Sequence, residues 1–263
     1  MHVFSCDSND AACPVVLLFP AMGVKAPYYF DVAQSLNSHN IHFACTDLRG
    51  HGPLHPKPSR TNDFGYHEMI QLDWPSAISK LKELFPDHPI YLMGHSLGGQ
   101  LSACYSTIDQ LDVAGLIFIA SGNVYYKTYR RKWKTLLGTQ FLWRVSQLLG
   151  YLPGTSLGFA GNEAQGVMRD WAYNARTGRY RAKDDHQHYL FDGKLSQVET
   201  NILAISFDGD RLSPHSSMQS LLDKFHKAKK SHIRTCAREL NIPTLGHFDW
   251  VKNADKLSPK IAH

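Results

Sequence analysis

Gly94-His95-Ser96-Leu97-Gly98-Gly99 is the segment of this sequence that could do covalent chemistry. A Gly-x-Ser-x-Gly string alone is a weak signal. Here it follows the apolar run Ile90-Tyr91-Leu92-Met93 and opens a segment with helical spacing, Leu97 to Ile108. A strand that turns sharply into a helix needs small residues on both sides of the turn, and Gly94 and Gly98 supply them. Such a turn lifts the serine hydroxyl above the sheet and aims a helix N-terminus at it. A serine hydroxyl is a poor nucleophile until a base takes its proton. The base should titrate near working pH, which selects histidine. The sequence has 15 histidines, so composition does not choose among them.

The elements that must position this chemistry alternate along the chain. Apolar runs at Val15 to Phe19, Ile41 to Thr46, Ile90 to Met93, Ala114 to Ala120 and Ile202 to Phe207 read as strands, with a sixth expected at Ile233 to Leu240. Helical spacing is found at Ala26 to Ser38, Tyr66 to Phe85, Leu97 to Ile108 and Pro214 to Phe225. Continuous apolar strands between amphipathic helices predict an α/β fold with a mostly parallel, doubly wound sheet covered on both faces. From about 121 to 196 the rhythm breaks: no strand is evident and aromatics are dense. That stretch is expected to be a helical insertion between two strands, since structureless loops of this length are uncommon. Its aromatic residues are expected to line a substrate pocket over Ser96, the alternative being that they form the insertion's own small core.

With these elements in place, the sequence resembles the α/β-hydrolase superfamily over nearly its whole length. Phe19-Pro20-Ala21-Met22-Gly23 stands where that superfamily has His-Gly-x-Gly. Asp47-Leu48-Arg49-Gly50-His51-Gly52 is similar to its D-x-R-G-x-G loop, and Leu245-Gly246-His247-Phe248 to the segment with its catalytic histidine. The FPAMG opening with the GHSLGG elbow is similar to a group of bacterial α/β hydrolases of undefined substrate. The resemblance implies a core of residues 1–121 and 199–263 with a cap, or lid, at 122–198. It implies the chain order Ser, acid, His, hence Ser96 as nucleophile and His247 as base. The acid follows the strand Ile202 to Phe207, where Asp208 and Asp210 both stand. The superfamily's spacing of Asp four residues before a Pro favours Asp210, ahead of Pro214. The oxyanion hole falls to the backbone N–H groups of Leu97 and Met22; Pro20 has none to offer. His95 is expected to pack or hydrogen-bond locally.

The implied activity is that of a serine hydrolase, an esterase acting on an apolar acyl ester, with no cofactor and no metal. Thioesterase, amidase and acyltransferase share the same triad, and a non-catalytic ligand-binding member of the fold is a further reading. The remaining composition narrows the classes. Lys and Arg number 28 against 23 Asp and Glu, 43% of residues are hydrophobic, and the charge is +5. The basic runs Lys127 to Lys134 and Lys224 to Lys230 carry no nucleic-acid motif, so no nucleic-acid partner is expected. No apolar run approaches about 18 residues, so no integral membrane segment is expected. Asp184 to His188 (DDHQH) reads as solvated surface rather than a metal site. There is no Gly-x-Gly-x-x-Gly fingerprint or P-loop. Met1 to Cys13 lacks the basic and apolar regions of a secretory signal, and the five cysteines are an odd number with no Cys-x-x-Cys. Reduced thiols and a cytoplasmic location are the expectation.

Overall fold

The computed structural model describes residues 1–263 apart from 9, 11, 53–55, 109–110, 185 and 263. The first half of the chain contains β1 (His2–Phe4), β2 (Val15–Phe19), α1 (Phe30–Asn37), β3 (His42–Cys45), α2 (Tyr66–Glu68), α3 (Trp74–Leu84), β4 (Ile90–His95), α4 (Leu97–Tyr105) and β5 (Gly115–Ile119). Then come α5 (Lys132–Leu149), β6 (Tyr151–Pro153), α6 (Gly154–Leu157), β7 (Asn162–Ala164), α7 (Gln165–Thr177), β8 (Arg181–Lys183), β9 (His188–Leu190) and α8 (Asp192–Leu195). The chain closes with β10 (Ile202–Phe207), α9 (His215–Leu222), β11 (Lys230–Thr235), α10 (Asp249–Lys252) and α11 (Ala254–Ala262).

Seven strands form one sheet in the order β1-β3-β2-β4-β5-β10-β11, parallel except for β1, which pairs antiparallel with β3. Every residue of β2 and β5 is buried, as strands covered on both faces require. Their side chains alternate between two cores. Leu17, Phe19, Leu92 and Phe118 pack on one face with Trp74, Leu101 and Leu221. Val16, Leu18, Met93 and Ile117 pack on the other with Tyr29, Leu36, Trp250 and Leu257. Each such side chain contributes about 1.5–3 kcal/mol by leaving water. Trp74 also stacks on Phe19, ring centroids 3.7 Å apart, and donates its indole N–H to Ser102 Oγ at 3.1 Å.

The structure refines the sequence expectations in three places. Residues 69–73 form a π-helical turn between α2 and α3 rather than continuous α-helix. Pro75 explains this, since it has no N–H to give to the turn before it. The sixth strand lies at Lys230–Thr235, not at Ile233 to Leu240, paired along the whole of β10. As an edge strand it is half exposed, so KSHIRT shows no apolar run. The segment between β5 and β10 is not purely helical either: β6 pairs with β7, and β8 with β9, in antiparallel ladders three residues long.

Backbone packs closely on backbone where β4 turns into α4. A Cβ at Gly94 would stand 2.2 Å from Gly99 Cα, and one at Gly98 would stand 2.1 Å from the Phe19 carbonyl oxygen. Both obstacles are backbone, which cannot rotate away. Gly94→Ala is therefore expected to destabilise the protein by about 3 kcal/mol, at the upper end for overpacking. Urea unfolding of the two proteins checks this; an unchanged midpoint would show that the turn can relax.

Candidate active site

Ser96 occupies the turn itself. Its φ of +53° lies in the left-handed region that non-glycine residues rarely adopt. The strain is held by neighbours: Ser96 N–H donates to the Ile119 carbonyl at 3.1 Å, and Gly98 N–H to the Pro20 carbonyl at 3.1 Å. The second bond ties the turn to the loop after β2. Leu97 begins α4, so its N–H has no carbonyl one turn back within the helix. On the facing loop, Ala21 N–H is taken by Tyr29 Oη at 3.0 Å and Val24 N–H by the Ala21 carbonyl at 3.0 Å. The N–H groups of Met22 and Leu97 have no acceptor among the described residues, and both residues line the cavity that Ser96 enters.

Beyond β10 the chain turns so that Asp210 is buried and Asp208 is exposed. Asp210 Oδ1 accepts the N–H groups of Leu212 and Ser213, each at 2.8 Å. Its Oδ2 accepts from His247 Nδ1 at 2.8 Å. A proton on Nδ1 leaves Nε2 as the lone-pair nitrogen of the neutral ring. His247 shares the cavity wall with Ser96. Asp208 pairs instead with His215 Nε2, whose other ring nitrogen meets Ser206 Oγ at 2.6 Å. The structure thus brings Ser96, His247, Asp210, Met22 and Leu97 to one site and leaves Asp208 outside it.

His95 is wholly buried beside them and bonds locally on both nitrogens. Its Nε2 donates to the His247 carbonyl at 2.8 Å, which leaves Nδ1 to accept the Tyr29 hydroxyl at 2.8 Å. Burial, and after it the nearby His247, push the His95 pKa well below the usual histidine value. The ring is neutral, as this bonding pattern needs. Ala21 N–H, Tyr29 Oη, His95 and the His247 carbonyl therefore form one buried chain. It fixes the facing loop and the His247 backbone to the turn that carries Ser96.

The cavity holds about 340 Å³. Met22, Leu97, Val124, Phe159, Trp171 and Phe248 give it apolar walls. Two atoms of its lining residues, Gln100 Oε1 and Ser213 Oγ, are buried without a hydrogen-bond partner among the described residues. Of the aromatics dense in the segment after β5, Phe159 and Trp171 reach the cavity, ring centroids 5.7 Å apart. Trp133 and Phe141 face solvent. The cavity roof is seamed to the loop after β2: a Cβ at Gly23, where φ is +76°, would stand 2.2 Å from Gly161 N. Alongside, buried Glu163 pairs with His51 Nε2 at 3.1 Å. In the DDHQH stretch, Asp184 accepts the N–H groups of His186 and Gln187 in a turn, and Asp185 lies outside the described residues. A groove of about 600 Å³ at the opposite end of the sheet, by Pro14 and Ile261, contains none of these groups.

Tyr29, Gln100 and Ser213 were not signalled as site residues by sequence. Gln100 had a findable sign, since it stands one helical turn beyond Ser96. Tyr29 had none, because its partners are 8 and 66 positions away.

The family described as serine aminopeptidase, S33, matches residues 10–179. No curated protein matches the sequence. Among solved structures, Est1E from Butyrivibrio proteoclasticus with bound ferulic acid superposes with a TM-score of 0.63 at 12% identity, covering 100% of this chain and 95% of that one. The monoacylglycerol lipase of Paleococcus ferrophilus gives 0.61 at 13% identity, covering 99% and 95%. The thioesterase domain from the curacin biosynthetic pathway gives 0.58 at 15% identity, covering 99% and 94%. These likenesses show the α/β-hydrolase fold.

Tyr29→Phe deletes one oxygen and leaves the Ala21 N–H and His95 Nδ1 buried without partners. The expected loss of stability is about 1–3 kcal/mol, measured by urea unfolding at neutral pH. A variant as stable as the parent would mean that the chain from Ala21 to His247 carries no strain-bearing role.

Proposed function

Since the chain belongs to the serine aminopeptidase, S33, family of α/β hydrolases, we propose that it is a serine hydrolase that cleaves a carboxylic ester through an acyl-enzyme on Ser96. The observation that carries this reading is His247, held at Nδ1 by Asp210 and sharing one cavity with a strained serine at a helix N-terminus. Residues 122–198 act as its cap on a core of 1–121 and 199–263.

In this mechanism Ser96 Oγ attacks the ester carbonyl while His247 Nε2 takes the hydroxyl proton. Asp210 keeps the imidazole in the required tautomer and stabilises the imidazolium. The carbonyl oxygen, now an oxyanion, accepts the N–H groups of Met22 and Leu97; one such donor is worth about 10²–10³ in rate in related chemistry. The C–O bond to the alcohol breaks, and His247 returns the proton to the leaving oxygen. Water then repeats the sequence on the acyl-enzyme, giving the carboxylic acid and restoring Ser96.

The family's description mentions an aminopeptidase, yet the cavity wall favours a neutral acyl group. An aminopeptidase must balance a substrate ammonium. No carboxylate is among the residues lining this cavity, and Asp210 is occupied behind His247. An unpaired charge in an apolar pocket is strongly disfavoured. The volume, near the lower end for small-molecule sites, suits a short acyl or a single aromatic group. The five cysteines are free thiols, which supports a reducing, cytoplasmic setting.

Hydrolysis of p-nitrophenyl esters of graded chain length, beside matched thioesters and anilides, tests the proposal. Ester turnover should exceed anilide turnover. Ser96→Ala should lower it by at least about 10³-fold. Asp210→Asn should lower kcat by up to about 10⁴-fold, and Asp208→Asn should leave it within a few-fold of the parent. Retention of a tenth of the activity in Ser96→Ala, or a dead Asp208→Asn beside an active Asp210→Asn, would overturn the assignment.

A further inference from the structure

The outer face of α5 is not explained by the hydrolase site. Trp133, Leu137, Phe141 and Leu148 are 59, 68, 64 and 78% exposed. At about 100° per residue they fall within about 80° of the helix circumference. The opposite side packs inward, where Thr139 and Ser146 are buried. A soluble helix has no use for four large apolar side chains on its solvent side, and contiguous exposed patches of this kind mark interaction surfaces.

The charge around this stripe is one-sided. Residues 113–162 contain six cations, Lys127, Arg130, Arg131, Lys132, Lys134 and Arg144, and no Asp or Glu. The rest of the chain holds 22 Lys and Arg against 23 Asp and Glu. The chain's whole positive excess is therefore gathered on and just before α5. All six cations are exposed, and none forms an ion pair among the described residues.

We propose that α5 docks the protein on an anionic lipid surface. Trp133, Leu137, Phe141 and Leu148 enter the boundary between headgroups and acyl chains; Arg144, which shares their side of the helix, extends its guanidinium up to the phosphates, and the cations before and at the start of α5 meet lipid phosphates. An amphipathic helix lying in the interface needs this pairing of an apolar face with basic flanks. A second copy of the chain would meet the same unbalanced positive charge, which disfavours self-association. The approach to this helix also touches the cavity rim. Tyr129 Oη, just before α5, donates to the Leu212 carbonyl at 2.8 Å. Leu212 and Phe248 are exposed at the cavity rim. The inference rests on the surface and not on the proposed reaction, so it is tested in Ser96→Ala protein, where turnover plays no part.

The test is co-sedimentation with vesicles of phosphatidylglycerol and phosphatidylcholine in equal parts, against pure phosphatidylcholine. The protein should pellet with the mixed vesicles at 0.1 M NaCl. Binding should fall at least tenfold on pure phosphatidylcholine, and again at 1 M NaCl, where screening shortens to about 3 Å. W133S/L137S/F141S and, separately, R130Q/R131Q/K132Q/K134Q should each weaken binding at least tenfold while melting within a few degrees of the parent. The proposal is overturned if the parent stays in the supernatant with mixed vesicles, or if both variants bind as the parent does. It is overturned too if sedimentation equilibrium finds a dimer that the triple-serine variant dissolves, since the stripe would then be an interface between copies.

Discussion

The strained turn at Ser96 is the constraint on which the remainder of the structure depends. A left-handed serine between a strand and a helix is tolerated only because neighbouring chain packs closely around it. Gly94 lies on Gly99, Gly98 on the Phe19 carbonyl, and Gly99 on Ser121. The last two of these approaches fix neighbouring strand ends: Phe19 ends β2, and Ser121 follows β5 closely. The central strands are thus set by the same contacts that lift the serine. Strain of this kind costs about 1–3 kcal/mol and persists only where the surroundings over-determine it.

Two further devices act on that turn. On the core side, the buried chain through Tyr29 and His95 joins it to the loop bearing Met22 and to the backbone of His247. Three segments distant in sequence are held in common by one phenol and one neutral imidazole. Above the cavity, the Gly161 backbone lies on Gly23, and the His51–Glu163 pair closes the seam. In the proposed mechanism this makes the oxyanion loop a shared wall: its position answers both to the turn below and to the cap above. A cap movement would then be felt at Met22 before it reached Ser96. The outer face of α5 would carry that coupling to a lipid surface, since its N-terminal approach touches the cavity rim at Leu212.

The sheet was legible in the sequence because its strands are buried on both faces. Val15 to Phe19 reads as an unbroken apolar run and Ile202 to Phe207 as one interrupted only by Ser206, and both have those bounds in the structure. The elbow was legible because its geometry admits few residue types. β11 was placed several residues too late because an edge strand alternates with solvent and carries Lys, Ser, His and Arg. The ladders β6–β7 and β8–β9 were not seen, as three residues are too few for any period to show. The aromatics of the segment after β5 were expected to face the cavity. Phe159 and Trp171 do; Trp133 and Phe141 point outward. Residue type told that these side chains want an apolar partner but not which one, and a helix with one inward and one outward demand cannot be resolved by composition. The spacing ahead of Pro214 favours Asp210 over Asp208; in the structure Asp208 is exposed beside His215 and Asp210 is buried against His247.

The claim at the centre of this account is that the strained serine, the histidine and the two unpartnered N–H groups act on one carbonyl. A crystal structure of the protein reacted with an alkyl fluorophosphonate tests it most directly, since the tetrahedral phosphorus mimics the acyl intermediate. The account predicts phosphorus bonded to Ser96 Oγ, with the phosphoryl oxygen about 2.7–3.1 Å from the amide nitrogens of both Met22 and Leu97. Phosphorus on another side chain, or a phosphoryl oxygen turned away from those two nitrogens, would contradict it.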